Sequence, residues 1–305
     1  MTNELEKERS RKKEEELLPP TSFFLNSATA KLAHTDSPRL TAEVLLARVL
    51  NVSRAHLLAY PERLLSETEQ QQFTADVHRA AEGVPLAYIV GHKEFHGLEF
   101  LVNKHVLVPR PETELLVDLA LEYLSTKEHE GTRSELRVLD VGTGSGCIAV
   151  TVAVKCPRAS VTALDISEEA LAVAQANAAR HGVVERLSFF KSDLLSALNY
   201  LPAQFHLLTA KLPYIATDVA RALPVSRHEP LLALDGGPDG LLWVRRLLTD
   251  APRHWHAGGL ILLEIGHTQG PAAHALAQAV FPAAHVQLFQ DWAGLDRIIR
   301  IQTTA

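Results

Sequence analysis

Asp140-Val141-Gly142-Thr143-Gly144-Ser145-Gly146 stands between two apolar runs, LRVLDV and CIAVTVAVKC, and its reading decides the fold. Glycines at alternate positions let the backbone turn tightly and approach a ligand, because no Cβ stands in the way. A helix after the loop offers unpaired N–H groups at its first turn. A dinucleotide-binding loop has the spacing G-x-G-x-x-G, whereas this one is G-x-G-x-G and is preceded by an acid that would repel a pyrophosphate. That acid, Asp140, suits the positively charged amino-acid end of S-adenosylmethionine. The next strand-like run, SVTALDI, places Asp165 25 residues beyond Asp140, where a carboxylate can accept hydrogen bonds from both ribose hydroxyls. The expected donor site is therefore Asp140, Gly142, Thr143, Gly144, Ser145, Gly146 and Asp165. The plain alternative is a glycine-rich turn with no ligand. Ser145 lies outside the G-x-S-x-G context of a hydrolase nucleophile.

Outward from the loop, strands and helices alternate. LRVLDV, SVTALDI, LSFFKSD, FHLLTA and GLILLEIG read as buried strands, and SEEALAVAQANAARHG as a helix capped by Ser167. HVQLFQDWAGLDRIIRIQ reads as two strands about Gly294, an antiparallel pair finishing the sheet. This order predicts an α/β fold with a mainly parallel sheet. Asp193, in FFKSDLL, falls where such a sheet places a residue near the adenine, with a helix N-cap as the equal alternative.

Residues 21–83 read instead as a small helical domain, with a capping box at Ser66 and Glu69 and no glycine before Gly83. EFHGLEFLV reads as a β-hairpin about Gly97, with Phe95 and Phe100 as its large apolar pair, within a linker of residues 84–114. Residues 1–20 mix acids and bases, end in Pro19-Pro20 and read as a charged tail; residues 115–305 form the ligand-binding domain. No signal peptide or membrane-length apolar run is visible, and Cys147 and Cys156 make no disulfide framework, so a cytoplasmic protein is expected. At 47% hydrophobic and 22% charged residues the chain is globular, and its net charge of -6 argues against direct nucleic-acid binding by a basic surface. His92 and His96 are four apart without the H-E-x-x-H pattern, and no metal site is expected. Arg110, Glu112 and Glu114 either order the ligand pocket or form salt bridges in the linker.

With DVGTGSGCIAV, ALDIS, KSDLL and the Pro-Tyr of AKLPYI, the chain resembles the bacterial release-factor glutamine methyltransferases. Further stretches carry the resemblance in the same order over residues 35–302: GVPLAYIVGHKEFHGLEFLV, VLVPRPETELLV, HEPLLALDGGPDGLL, LEIGHTQG and DWAGLDRIIRI. The resemblance implies a helical N-terminal domain, a hairpin linker and a Rossmann-like, seven-stranded class I methyltransferase domain. It implies S-adenosylmethionine as cofactor and class 1 peptide chain release factors as partners, methylated on the glutamine of a Gly-Gly-Gln loop by a monomer. Gly142 through Gly146 would line the methionine and ribose, Asp165 would take the ribose, and Asp193-Leu194 would sit by the adenine. Glu229-Pro230 and Asp235-Gly236-Gly237 would lie near the substrate mouth.

The family's Asn-Pro-Pro-Tyr motif aligns with Lys211-Leu212-Pro213-Tyr214, so the catalytic positions are Lys211, Leu212, Pro213 and Tyr214, the first two altered. In the family the asparagine oxygen and the next backbone carbonyl accept hydrogen bonds from the substrate NH2. Leu212 keeps the carbonyl. An ammonium at Lys211 has three donors and no acceptor, and it brings a positive charge toward a sulfonium unless an acid such as Asp140 neutralises it. Lys211 thus admits three readings: a substitution that traps or disables the enzyme, a natural variant of lost or altered activity, or a working lysine deprotonated by its surroundings. The rival functions are an adenine-N6 methyltransferase of nucleic acid and an inactive protein that binds cofactor and release factor.

Overall fold

A computed structural model of the protein describes residues 19–129, 135–200 and 204–304, and the chain divides into two compact units, residues 1–90 and 91–305. Most of the expected charged tail lies outside the described residues; Pro20, at its end, forms a β-bridge with Leu64.

The first unit is helical: α1 (Thr21–Lys31), α2 (Pro38–Leu50), α3 (Arg54–Ala59), α4 (Glu67–Ala81) and α5 (Leu86–Val90). Its core gathers Leu25, Leu45, Leu46, Phe73, Val77 and Ile89. The capping box opens α4: the Glu69 amide donates to Ser66 Oγ at 3.3 Å and the Ser66 amide to Glu69 Oε2 at 2.7 Å. Gly83 closes that helix at φ +89°, yet a further helical turn, α5, follows Pro85, so the helical unit runs to Val90 instead of stopping at Gly83.

The second unit opens with the hairpin β1 (His92–Phe95) and β2 (Leu98–Leu101), whose turn residues His96 and Gly97 both have positive φ, the geometry that matches strand twist. The Phe95 and Phe100 rings are buried 6.1 Å apart. This hairpin belongs to the compact unit of the sheet rather than to a separate linker. The Leu101 amide donates to Asn177 Oδ1 at 2.7 Å and Asn177 Nδ2 returns a bond to the Leu101 carbonyl at 3.0 Å.

After α6 (Glu114–His129) come β3 (Leu136–Val141), α7 (Cys147–Lys155), β4 (Ala159–Asp165), α8 (Glu168–Arg180), β5 (Leu187–Lys191), β6 (Phe205–Ala210), α9 (Thr217–Ala222), α10 (Leu242–Asp250), β7 (Trp255–Glu264), α11 (Gly270–Val280), β8 (His285–Gln290) and β9 (Asp296–Gln302). The seven strands lie in the order β5-β4-β3-β6-β7-β9-β8, with β9 antiparallel to both β7 and β8 and the other pairs parallel. Strand alternation feeds two cores. Val138, Leu207, Leu260 and Leu262 face one with α6 and α7, while Leu139, Val141, Leu208, Ile261 and Leu263 face the other with α10 and α11. β7 begins at Trp255, ahead of the GLILLEIG run, so His254-Trp255-His256 passes from a turn into a strand. The order reverses between β3 and β6, and a crevice therefore opens at the carboxyl ends of these two strands. Among the described residues no helix is long and apolar enough to cross a membrane.

Candidate active site

A cavity of about 240 Å³ opens at that reversal, between the loop after β3 and the segment after β6. The glycine loop shapes one wall. Gly142, Gly144 and Gly146 have φ of +74°, +55° and +78°, a backbone that side chains disfavour by roughly 1–2 kcal/mol per residue. Each glycine has its own reason. A Cβ on Gly142 would stand 3.2 Å from the Leu212 side chain, and one on Gly146 would stand 3.0 Å from Ala174 of α8, whereas the space beside Gly144 is open. Gly146 thus seats α7 against α8 behind the cavity; Gly142, Thr143, Gly144 and Ser145 line it.

Asp165, Asp193 and Leu194 also line the cavity, at the ends of β4 and β5. Asp165 braces the loop, accepting from the Gly144 amide at 2.8 Å and the Ser167 amide at 3.0 Å; burial raises its pKa against the pull of those bonds. Asp193 pairs with Arg246 at 2.9 Å, and Leu194 holds a left-handed backbone, φ +50°, pinned by a 2.6 Å bond from Ser192 Oγ to its carbonyl. A left-handed backbone at a non-glycine residue costs roughly 1–3 kcal/mol and persists where the surroundings hold it.

Asp140 stands behind the site, not in its wall. It is 1% exposed, its Oδ1 accepts from Thr209 Oγ1 at 2.8 Å, and Oδ2 has no hydrogen-bond partner among the described residues. Burial, with the Asp165 charge adding to it, pushes its pKa up to about 6. Cys147 lines the cavity as a thiol, its pKa pushed up to about 12 by burial.

Opposite the glycines, Lys211, Leu212 and Pro213 form the second wall, while Tyr214 and Lys211 line a smaller adjoining cavity of about 100 Å³. This segment is braced from several sides. The Ile215 amide donates to the Leu234 carbonyl at 3.1 Å and the Gly236 amide to the Ile215 carbonyl at 2.7 Å. Gln269 Nε2 donates to the Tyr214 carbonyl at 2.9 Å. The stretches HEPLLALDGGPDGLL and LEIGHTQG thus meet at Pro213-Tyr214-Ile215. Gly236 is required there, since its Cβ would come within 2.7 Å of the Pro213 carbonyl oxygen.

The carboxylate that faces Lys211 is Glu264 and not Asp140: Nζ lies 3.8 Å from Glu264 Oε1 and 5.3 Å from the centre of the Tyr214 ring. Glu264 is fully buried, and its Oε2 accepts from Thr113 Oγ1 at 2.6 Å. Burial first, then the Glu264 charge, raises the Tyr214 phenol well above its ordinary pKa. Arg110 pairs with buried Glu229 at 2.8 Å, and Glu229 Oε2 accepts from the Val108 amide at 3.2 Å, tying two lips of the cavity together. Glu114 instead accepts from the His96 amide at 2.9 Å; His96 meets Asp118 and His92 meets Glu99.

Sequence reasoning missed Glu264, Thr113, Trp243 and Gln269. A lone acid in LILLEIG was the readable signal for Glu264. Gln269 and Trp243 had none, because their roles exist only after distant segments pack.

The PrmC N-terminal domain family matches residues 24–91, and a methyltransferase domain family matches residues 138–226. A release factor glutamine methyltransferase of Koribacter versatilis is 43% identical over 270 residues, 88% of this chain and 92% of its own. One from Moorella thermoacetica is 43% identical over 276 residues, 90% and 95% of the two chains. One from Bacillus subtilis is 39% identical over 278 residues, again 90% and 95%. Among solved structures, a methyltransferase from Pyrococcus furiosus matches 79% of this chain and all of its own, with a TM-score of 0.50 at 18% identity, a likeness of fold.

Proposed function

The chain belongs to the release factor glutamine methyltransferase family, and on that premise we propose that it methylates the side-chain amide nitrogen of the glutamine in the Gly-Gly-Gln loop of class 1 release factors. The methyl donor is S-adenosylmethionine, which supplies an electrophilic methyl group on a sulfonium. The residues present fit it. Positive-φ glycines leave an open cradle, Asp165 faces the same cavity, and the unpaired Oδ2 of Asp140 puts negative charge behind the loop. Gly142 to Gly146 would hold the methionine and ribose, Asp165 the ribose hydroxyls, and Asp193-Leu194 the adenine.

The observation that carries the reading is the juxtaposition of that cradle with Lys211-Leu212-Pro213-Tyr214 across one cavity. The Leu212 carbonyl is the acceptor left to hold the substrate NH2, and the half-buried Tyr214 ring is the surface on which the amide plane would rest. Lys211 supplies no second acceptor. Removing one positioned contact of this kind costs on the order of a hundred- to thousandfold in rate, so the chain as it stands is a weakened catalyst.

Mass spectrometry of a release factor incubated with donor and protein tests this reading: the Gly-Gly-Gln peptide should gain about 14 Da, one methyl group. Failure to gain it with both this chain and the K211N variant, under conditions where the donor binds, would sink the proposal.

A further inference from the structure

The end of β6 and the end of β7 run in register, Ala210 beside Leu263, so the next residues along, Lys211 and Glu264, stand side by side. Lys211 lines the donor cavity with its side chain only 13% exposed, and the side chain of Glu264 is fully shielded. A largely shielded ammonium in the wall of a site that takes a sulfonium opposes it, because two like charges repel more strongly where little water screens them. Glu264 Oε1 faces that ammonium at 3.8 Å with no hydrogen-bond partner among the described residues, while Thr113 anchors the other oxygen.

We propose that Glu264 is a positioning residue of the donor site: its carboxylate draws the Lys211 ammonium back toward β7 and cancels its charge, so the cavity still accepts a cationic donor. Among the described residues Glu264, and not Asp140, forms the ion pair with Lys211. The inference rests on the donor site described above. It also gives a charge signature, because S-adenosylmethionine is a sulfonium and its product, S-adenosylhomocysteine, is a neutral thioether of nearly the same shape.

Titration calorimetry with both compounds at one fixed pH provides the test. E264Q retains an oxygen for the Thr113 hydroxyl and removes only the charge. The ratio of the two dissociation constants, sulfonium over thioether, should rise about tenfold in E264Q. In the K211M background the same E264Q change should move the ratio by less than twofold. Should E264Q not fold, T113V, which frees the carboxylate from its anchor, should raise the ratio at least threefold with the same dependence on Lys211. A rise below threefold in E264Q, or an equal rise with and without Lys211, overturns the proposal, since a structural role for Glu264 would weaken both compounds alike. If the parent chain binds neither compound, the donor-site reading itself fails.

Discussion

The two walls of the cavity are built by different means. The wall after β3 is made of backbone: three glycines with positive φ, at alternate positions of one short loop, closed by one carboxylate, Asp165, on the neighbouring strand. The wall after β6 is assembled from several distant segments: Glu264, held by Thr113, faces Lys211, Gln269 bonds the Tyr214 carbonyl, and the 229–240 loop bonds the Ile215 backbone. A backbone cradle tolerates little substitution but depends on few partners. A side-chain assembly can hold a lysine at position 211, provided a neighbour absorbs its charge. On the function proposed above, Lys211 would therefore disturb acceptor chemistry far more than donor binding.

The sharpest way to break that contrast is Lys211→Asn. An asparagine restores an acceptor for the substrate NH2, and its own NH2 can donate to the unpartnered Glu264 Oε1. Glutamine methylation should rise at least about tenfold and toward a thousandfold, measured as single-turnover rates at saturating donor. Equal rates in the two proteins would mean that the first motif position contributes no acceptor.

Asp140 tests the backbone wall by pH. Its folded pKa, about 6, lies above the ordinary value, so the folded chain holds a proton that the unfolded chain gives up first. Stability from this group is full below about pH 4 and is lost as pH rises through about 6, by on the order of 3 kcal/mol. Asp140→Asn removes the ionisation. The variant should gain stability relative to the parent between pH 4 and pH 7 in urea melts, while binding the cationic donor less tightly. A stability difference flat across that range would show that the carboxylate is not strained by burial.

Gly236→Ala tests the side-chain wall. The added Cβ would come 2.7 Å from the Pro213 and Gly240 carbonyl oxygens, and relieving such overpacking costs about 1–3 kcal/mol. Methyl transfer should fall by more than donor affinity does, since the shift is delivered to Pro213-Tyr214. An equal loss in both would merge the two walls into one unit.

The same contrast explains what could be read from the chain alone. The strands were legible because each is a near-continuous apolar run, and the cradle because its glycines fall at alternate positions of one short loop. Asp165 followed from strand spacing. Asp140 is expected in the cavity wall and stands behind it, because sequence does not show which way a strand-end carboxylate turns. Here Thr209 on the next strand holds it inward. Likewise no spacing rule links Lys211 to Glu264; their pairing needs the register of β6 on β7, which is long-range information. The hairpin was recognised from Gly97, yet its attachment to α8 through Asn177 was not, since Asn177 reads as one more polar residue on a helix.

The smallest effect is expected where the walls are joined at the surface. Asp193 bonds Arg246, whose guanidinium lies 5.1 Å from the centre of the Trp243 ring, and Trp243 Nε1 donates to the Asp235 carbonyl at 2.8 Å. This chain runs from the donor end of the cavity to the loop that braces Ile215. Its ion pair is nearly half exposed, and such pairs contribute about 0–1 kcal/mol. Arg246→Ala should therefore leave the melting midpoint almost unchanged and alter donor affinity by only about twofold. Its informative readout is the ratio of transfer rate to donor affinity. If the walls act separately, Arg246→Ala leaves that ratio as it is. A transfer rate that falls while affinity holds would show that the surface chain couples the backbone cradle to Pro213-Tyr214.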